Sequence, residues 1–458
     1  MDFLVTPPGQ HTGDEEREPT STPAIPGGVY EVEFKNMRTN VIRLLPNGSQ
    51  RKKLLKLADT SAKLFNELNY ERRQQFFREG KVDFKGTWGK CYEKYKGVLG
   101  VNAQAVMKNN EAWSFFSLLK LKKQGKLPPR MGRVSPPRYL KDRESKEREK
   151  ILVVRQDRYE VHEESHKIVL KDFMEIDFEG RLRWYGKQGR LEIIYHEDTD
   201  RWYAHIPVEV GVETTKRGKK SKHVVHGERR SIQVSPKGNK VASIDLGVNV
   251  LASAVVDDGT WLLYKGIRAK EDYFHFEKRV AEVQSLAHKA RNVGECEAYE
   301  ELTREKRRLF KKLERRFLHL YRTLARGLVE ELHELGVSTL YLGYPYNIGQ
   351  DKGSKYTVNA WSYRKLIDAI ELKAQEYGMK VYEVVEYNTF RLCAYHNVEV
   401  RRKPRGVITC PLDHKLHSDL NALNILRQAT GKVINAVKKP LSFIVDHNRI
   451  APVKGSNP

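Results

Sequence analysis

Hydrophobic and polar residues alternate from Val29 to Leu45, the first segment with a clear pattern. A period of two is typical of a strand with one buried face. From Lys52 the period becomes helical, and this pattern continues to about Leu121. The front of the chain is therefore predicted to be a short β segment followed by helices. The apolar anchors of the helical region include Leu57, Leu64, Phe65, Leu68, Trp113 and Phe116.

The charged, proline-containing stretch that follows is predicted to be a loop, because proline interrupts helices and charge keeps the backbone solvated. It ends near Lys150, and short β patterns then follow at regular spacing to about Val212. Such spacing indicates a small sheet or barrel. The simplest arrangement pairs residues 29–45 with this later β region. A basic segment, residues 216–230, is predicted to be a loop or hairpin.

A different order of elements begins at Val241. Three strands are predicted there, with a tight reversal at Asp257-Asp258-Gly259. A helical stretch over residues 271–335 precedes a strand, an amphipathic helix that ends at Gly378, and another strand. The order βββ-α-β-α-β predicts a mixed α/β layer fold.

The composition of the chain indicates what kind of partner it binds. The 458 residues include 83 Lys and Arg against 59 Asp and Glu, which gives a formal net charge of +24. A hydrophobic content of 39% is enough to build folded cores, so the excess charge indicates a polyanionic partner, by default nucleic acid. A surface charged for solubility is the simpler alternative.

Positive charge is concentrated on the long helical stretch of the second half. Its cations include Arg307, Arg308, Lys311, Lys312, Arg315 and Arg316. Two interpretations fit this pattern: a solvated face of a helix hairpin, and a helix that contacts phosphates.

The cysteine content and the start of the chain bear on the compartment. No apolar run approaches the roughly 18 residues that a membrane span needs. Residues 1–28 lack the features of a signal peptide and are predicted to be a disordered leader. Four cysteines are too few for a disulfide framework. We therefore predict an intracellular protein of the cytoplasm or nucleoid, with no membrane partner.

Three carboxylates lie at the ends of predicted elements. Asp245 lies where a buried strand meets a glycine, and an ordinary turn is the simpler interpretation. Asp419 lies where a helix begins, and an N-cap is the simpler interpretation there. Glu386 ends the strand KVYEVVEY, where Glu383 would point the opposite way. A salt bridge is the alternative for Glu386. Together, three acids could hold two Mg²⁺ ions about 4 Å apart and support phosphodiester hydrolysis.

Two Cys/His pairs lie between Glu386 and Asp419. Cys393 and His396 form the first pair, and Cys410 and His414 form the second, with a short basic hairpin between the pairs. This spacing suits one tetrahedral Zn²⁺ ion. His417 is a rival fourth ligand, and two unrelated buried thiols are the alternative interpretation.

These motifs together resemble the TnpB family, transposon-encoded RNA-guided nucleases related to type V CRISPR effectors. The resemblance rests on SIDLGVN around Asp245, the strand VSTLYLGYP, the paired Cys/His ribbon and the H-S-D-L-N-A segment. It covers roughly residues 29–430. It implies an RNase H-like (RuvC) nuclease domain with a zinc ribbon insertion, a β-barrel wedge domain and a helical recognition domain.

The resemblance also implies domain boundaries. They are a leader at 1–28, a wedge domain at 29–51 and 150–240, a recognition domain at 52–149, a nuclease domain at 241–388 and 416–435, a zinc ribbon at 389–415, and a C-terminal tail at 436–458.

The activity implied by the family is RNA-guided DNA cleavage beside a short transposon-adjacent motif. A guide RNA derived from the transposon end and target double-stranded DNA are the implied partners. Asp245 would be the first metal-binding acid and Asp419 the last. Basic segments such as the hairpin at residues 401–405 would contact the backbone of the RNA–DNA duplex.

Two positions depart from the family pattern. Gly343 occupies the place of the usual Glu, and no acid follows until Asp351. Some branches move this Glu to the next strand, and Glu386 fits that place. The last motif is also one residue shorter between its asparagines, Asn421 and Asn424. Such a deletion would rotate the following helix by about 100°, unless its first turn absorbs the change.

These departures leave alternatives open. One is a catalytically impaired, RNA-guided DNA-binding protein that acts as a repressor or transposition accessory. Another is a transposase that joins DNA ends. If Glu386 is not the relocated acid, Glu383 or Asp351 would take its role.

Overall fold

The computed structural model describes residues 28–33, 36–121, 135–141, 147–210, 234–344, 356, 361–386, 389–404, 406–412 and 415–453. Almost all of the predicted leader, the basic segment 216–230, Asp351 and His414 lie outside these residues. The chain forms two compact units. The first is built from described residues between 36 and 210, and the second from residues 28–33 and 234–453. Strand β1 (Val29–Glu31) belongs to the second unit.

The first unit contains an antiparallel sheet. Its order is β3-β8-β9-β2-β6-β5-β4, with β7 paired to β9. Pairing of β2 with β9 joins the segment before the helices to the later β region, as the simplest arrangement predicted. The strands are β2 (Met37–Leu44), β3 (Ile151–Val154), β4 (Tyr159–His162), β5 (Lys167–Leu170), β6 (Met174–Glu179), β7 (Lys187–Gln188), β8 (Leu191–His196) and β9 (Arg201–Glu209).

Three helices pack against this sheet and share its hydrophobic core. They are α1 (Gly48–Glu79), α2 (Phe84–Leu99) and α3 (Ala105–Leu121). A capping box formed by Asn47 and Gln50 begins α1, and Gly80 ends it in the left-handed region at φ 68°. Leu64 and Leu68 are fully buried, as the helical period predicted. The expected boundary between the helical and β regions is therefore not a boundary between separate cores.

The second unit contains a mixed eight-stranded sheet. Its order is β1-β14-β13-β10-β11-β12-β17-β18. A separate two-stranded ribbon is formed by β15 (Val407–Thr409) and β16 (Lys415–His417). The strands of the large sheet, besides β1, are β10 (Lys240–Leu246), β11 (Val250–Val256), β12 (Trp261–Lys265), β13 (Val337–Tyr344), β14 (Lys380–Val385), β17 (Leu441–Val445) and β18 (Ile450–Pro452).

Strand direction determines which residues meet at one edge of this sheet. β10, β11 and β12 form the predicted antiparallel meander. β13 runs parallel to β10, β14 parallel to β13, and β17 parallel to β12. The carboxyl ends of β10, β12, β13, β14 and β17 therefore lie along the same edge.

Helices cover both faces of the sheet. The helices are α4 (Ile267–Asn292), α5 (Cys296–Glu334), α6 (Tyr363–Glu376) and α7 (Ala422–Thr430). Leu313, Phe317 and Leu320 of α5 are buried in one core with Ile244 and Leu342 of the sheet. On the opposite face, the Ser243 hydroxyl donates to the Ala422 carbonyl at 2.6 Å, which holds α7 against β10.

Both ends of this sheet differ from the expected boundaries. Residues 29–31 were expected in the wedge domain, yet β1 pairs with β14, with Tyr30 opposite Glu383. Residues 436–458 were expected to be a tail, yet β17 and β18 form strands at the far edge. Both pairings join segments that are remote in sequence, so local patterns did not reveal them. Among the described residues, no helix is long and apolar enough to cross a membrane.

Candidate functional site

Asp245 lies near the carboxyl end of β10, on the face that α7 covers. Its side chain is half-buried, and its Oδ1 accepts a hydrogen bond from the Asn421 amide at 3.3 Å. Its partner across the β10–β11 ladder is Ser253, whose hydroxyl donates to the Asp419 carbonyl. Asp245 is therefore in contact with the segment that carries Asp419.

Glu386 follows the last residue of β14 and lies at the same sheet edge. Its backbone N–H donates to the Tyr344 carbonyl at 3.3 Å, which continues the parallel pairing of β13 and β14. Both carboxylate oxygens are buried and have no hydrogen-bond partner among the described residues. A buried carboxylate without partners is costly, so this side chain is suited to a cation.

Gly343 leaves the space that the Glu386 carboxylate occupies. A Cβ placed on Gly343 would lie 2.4 Å from Glu386 Oε1 and 2.4 Å from the Ile425 Cδ1 of α7. In the sheet, Gly343 pairs with Val384, two residues before Glu386. The Glu386 carboxylate thus occupies the space in which a side chain at position 343 would begin.

Asp419 lies in a 3₁₀ turn, Ser418–Asn421, directly before α7. His417 precedes the turn, and its Nδ1 accepts a hydrogen bond from the Asp419 N–H at 3.2 Å. The tight turn places the Asn421 amide within hydrogen-bonding distance of Asp245 before the helix begins.

The three acids interact electrostatically. Burial, with Asp419 as a further cause, raises the pKa of Asp245 to about 7, although the Asn421 hydrogen bond and Arg402 act in the opposite direction. Burial also raises the pKa of Glu386 well above its usual range, and Asp245 adds to this effect. The raised pKa values mean that the ionised forms of these carboxylates are unfavourable without a cation. Such carboxylates are typical of sites that bind a cation or protons.

Arg402 is a residue that sequence reasoning did not single out. It lies in the basic hairpin, and its guanidinium lies 5.1 Å from the centre of the Phe390 ring. Its Nε and Nη2 are buried without a hydrogen-bond partner among the described residues. Burial lowers the pKa of Arg402, whereas Asp245 raises it, which indicates that this cation faces the acids. Within the run Arg401-Arg402-Lys403, no sequence signal distinguishes the inward-facing residue.

Tyr363, at the start of α6, also lies beside the acids. Burial raises the pKa of its hydroxyl, and the charges of Asp245 and Glu386 add to the effect. Its ring packs on Trp361 with a centroid distance of 6.0 Å. Tyr363 therefore lies close enough to both acids for their charges to affect its hydroxyl.

Three of the four predicted zinc ligands come together. The Cys393, His396 and Cys410 ligand atoms all lie within 4.8 Å of one another, so the cluster could hold a metal ion. His396 Nδ1 lies 3.4 Å from Cys410 Sγ and 3.9 Å from Cys393 Sγ. Backbone hydrogen bonds from Cys393 to Val398 and from Asn397 to Cys393 fold the first pair into a tight turn. His417, the rival ligand, lies against Asp419 instead.

The ribbon and the acid cluster are linked through α7. The Arg427 guanidinium donates to the Cys393 carbonyl at 2.9 Å and to the Ala394 carbonyl at 3.2 Å. The Asn424 amide donates to the Leu392 carbonyl at 3.1 Å. The helix that follows Asp419 is thus attached to the backbone of the first ligand pair.

Comparisons with known proteins found a matching family model and similar solved structures. The OrfB_IS605 family, described as "Probable transposase", matches residues 205–349. Among solved structures, the cryo-EM structure of the Cas12f1-sgRNA-target DNA complex is 15% identical, covers 82% of this chain and 81% of that chain, and has a TM-score of 0.47. A CRISPR-Cas12f ternary complex is 15% identical with the same coverage and a TM-score of 0.34.

A relative of nearly equal length is much more similar. The TnpB-like protein ORF457 of Acidianus two-tailed virus is 72% identical over 453 residues, which covers 98% of this chain and 99% of that protein. At this identity and coverage, the two proteins share one family. The chain therefore belongs to the TnpB-like proteins.

Proposed function

We propose that this protein is an RNA-guided DNA endonuclease that cuts DNA beside a short transposon-adjacent motif. Asp245, Glu386 and Asp419 would hold two Mg²⁺ ions. The observation that carries the proposal is the Glu386 carboxylate, which is buried without a partner beside a second acid of raised pKa. A guide RNA from the transposon end and target double-stranded DNA would be its partners.

The topology supports this assignment. Numbered within the predicted core, the strands β12, β11, β10, β13 and β14 follow the order 3-2-1-4-5, with three antiparallel and two parallel strands. This order supports the RNase H-like fold that the resemblance implies. Asp245 lies on the first of these strands, Glu386 follows the last of them, and Asp419 lies directly before α7.

The donor set fits Mg²⁺, which prefers carboxylate oxygens and bound water. When bound, such ions activate a water molecule and stabilise the leaving oxygen of a phosphodiester. The protein side chains contribute position: Asn421 orients Asp245, the Tyr344 carbonyl fixes the backbone of Glu386, and Arg402 faces the acids with a buried positive charge.

The ribbon is proposed to bind one structural Zn²⁺ ion through Cys393, His396, Cys410 and His414. Two thiolates and two imidazoles form a closed tetrahedral set for this metal. The contacts from Arg427 and Asn424 would then transmit the order of the ribbon to the helix after Asp419.

The proposal is tested with protein purified together with its cellular RNA. Sequencing that RNA should reveal a guide, and plasmids carrying the matching target should be linearised in Mg²⁺. Binding without cleavage would favour the repressor or transposition accessory, the alternative that Gly343 and the shortened last motif leave open. Joined strand-transfer products from transposon ends would favour the transposase.

A further inference from the structure

The backbone at Val385 and Glu386 is held by three segments that are remote from one another in the sequence. The Val385 N–H donates to the Gly28 carbonyl, directly before β1, at 3.0 Å. The Val385 carbonyl accepts a hydrogen bond from the Gln428 amide of α7 at 2.7 Å. The Glu386 N–H donates to the Tyr344 carbonyl of β13. The end of β14 is therefore held by both neighbouring strands and by the helix on one face.

The segment that contains β1 is also anchored at its other end. The Val32 N–H donates to the Val381 carbonyl at 2.9 Å, and the Val32 side chain packs against the core of the sheet. The Gln375 amide of α6 donates to the Glu33 carbonyl at 2.9 Å. The short strand is therefore fixed along its length, although it is the last strand of the sheet.

The register of the β1–β14 ladder determines which N–H groups of β1 hold β14. Its end bonds join residue 28 to 385 and residue 32 to 381. Hydrogen-bonded and non-hydrogen-bonded pairs alternate in an antiparallel ladder, so Tyr30 and Glu383, midway between these bonds, form a hydrogen-bonded pair. The Tyr30 N–H therefore points to β14, whereas the N–H of Glu31 points away from it.

Gln428 connects the end of β14 to the helix that follows Asp419. α7 begins directly after the 3₁₀ turn that carries Asp419. Its side chains Arg427 and Asn424 bond to the backbone of the ribbon, whereas Gln428 bonds to β14. The helix that starts beside one acid therefore holds the backbone next to another.

The position of the Glu386 carboxylate depends on this backbone. Its oxygens are buried and have no hydrogen-bond partner among the described residues. The carboxylate is therefore placed by its own backbone and by packing, including the space that Gly343 leaves. Ligand groups need to be held within about 0.5 Å of their productive geometry, so a shift of the strand end would displace this acid.

We propose that Gln428 and β1 position Glu386 for metal binding. The Gln428 amide and the Gly28 carbonyl hold the end of β14, so that the carboxylate is in place before a cation arrives. This role rests on the proposed function, because it affects catalysis only if Glu386 is a metal ligand. It gives the first strand of the chain, which was expected in the wedge domain, a part in the acid cluster.

The test measures the Mg²⁺ concentration that gives half of the maximal rise in the unfolding temperature of the full-length protein at pH 8, without nucleic acid. Gln428→Met keeps the length of the side chain but removes the amide donor. It should raise this concentration about tenfold, as loss of a contact behind a metal ligand does. Tyr30→Pro removes one donor of the ladder and should raise it similarly. Hydrogen exchange of the Val385 amide should also become about tenfold faster in Tyr30→Pro.

Two matched variants separate this role from a general disturbance of the sheet. Glu31→Pro introduces the same ring at the neighbouring position, whose N–H points away from β14. Tyr30→Val keeps the N–H but removes the aromatic ring. Both should keep the parent's Mg²⁺ requirement within about twofold, because proline is tolerated where the N–H faces the open side of an edge strand.

An unchanged Mg²⁺ requirement in both Gln428→Met and Tyr30→Pro would overturn the proposal, as would equal changes in Tyr30→Pro and Glu31→Pro. If Tyr30→Pro does not fold, the result for Gln428→Met decides. A parent whose unfolding does not respond to Mg²⁺ would also overturn it. A parent that responds to Mg²⁺ but does not cut a matching target would reject only the proposed endonuclease activity, and the comparison of Mg²⁺ requirements would still support or overturn the positioning role.

Discussion

The carboxylate of Glu386 fills the space beside Gly343, where a Cβ would lie 2.4 Å from Glu386 Oε1. The two residues are on neighbouring parallel strands, and the absence of a side chain on one permits the acid of the other. Under the proposed function, Glu386 would supply the third acid of the cluster, and Gly343 would be required to leave room for it.

Gly343→Ala should displace the Glu386 carboxylate, because the added methyl group also meets Ile425 at 2.4 Å. We expect a loss of stability of about 1–3 kcal/mol, typical of overpacking, and a larger loss of DNA cleavage. Denaturant unfolding and plasmid cleavage measure the two effects. Gly97→Ala is the control: it lies in α2 with open space around it, and should be neutral or slightly stabilising.

The raised pKa values predict how the metal-free protein responds to pH. Between about pH 4 and 7 the folded state retains a proton on Asp245 that the unfolded chain has lost, so stability should fall as the pH rises through this window. Mg²⁺ should reverse the loss at pH 8. Thermal unfolding measures this, with an expected recovery of roughly 3–6 °C for a gain of one or two kcal/mol.

Asp245→Asn provides the matched variant for that experiment. It cannot ionise, so its stability should depend less on pH and should gain less from Mg²⁺. A parent that becomes more stable from pH 5 to pH 8 without divalent cations would contradict the buried acid pair. Equal stabilisation of parent and variant by Mg²⁺ would place the metal elsewhere.

The attachment of the ribbon to α7 predicts that a residue without contact to the acids affects cleavage. Arg427→Ala removes the hydrogen bonds to the Cys393 and Ala394 carbonyls, so we expect cleavage to fall about tenfold while DNA binding changes little.

Elemental analysis should find about one zinc per chain in the parent and none in Cys410→Ser. Cys296→Ser, which alters an exposed thiol, should keep its zinc. Zinc retained by Cys410→Ser would reject the proposed ligand set.

The sequence predicted those parts of the fold that depend on local periodicity. The strand meander at β10–β12 and the amphipathic helix before Gly378 follow from spacing alone, and the Cys393–His396 and Cys410 positions follow from ligand pairs. Glu386 was identified as a candidate because alternation placed it at a strand end. Its proximity to Gly343 depends on strand register, which no local pattern encodes.

The features that were missed all depend on contacts between distant segments. β1 and β17 join the large sheet through partners that are remote in the sequence, so their short apolar patterns did not reveal where they pair. Arg402 and its neighbours are all cationic, so residue type does not distinguish them. Only the folded hairpin determines which guanidinium is buried. Asn421 reaches Asp245 because the 3₁₀ turn tightens the chain before α7.

The most direct test of the account compares Glu386→Gln with Glu383→Gln in plasmid cleavage with the copurifying RNA and Mg²⁺. Both variants keep the shape of the side chain, and both lie at the end of β14. We expect Glu386→Gln to lower the cleavage rate at least about 100-fold with target binding unchanged, because it removes a proposed metal ligand. Glu383→Gln should cut like the parent. Cleavage by Glu386→Gln at the parent's rate would contradict the central claim.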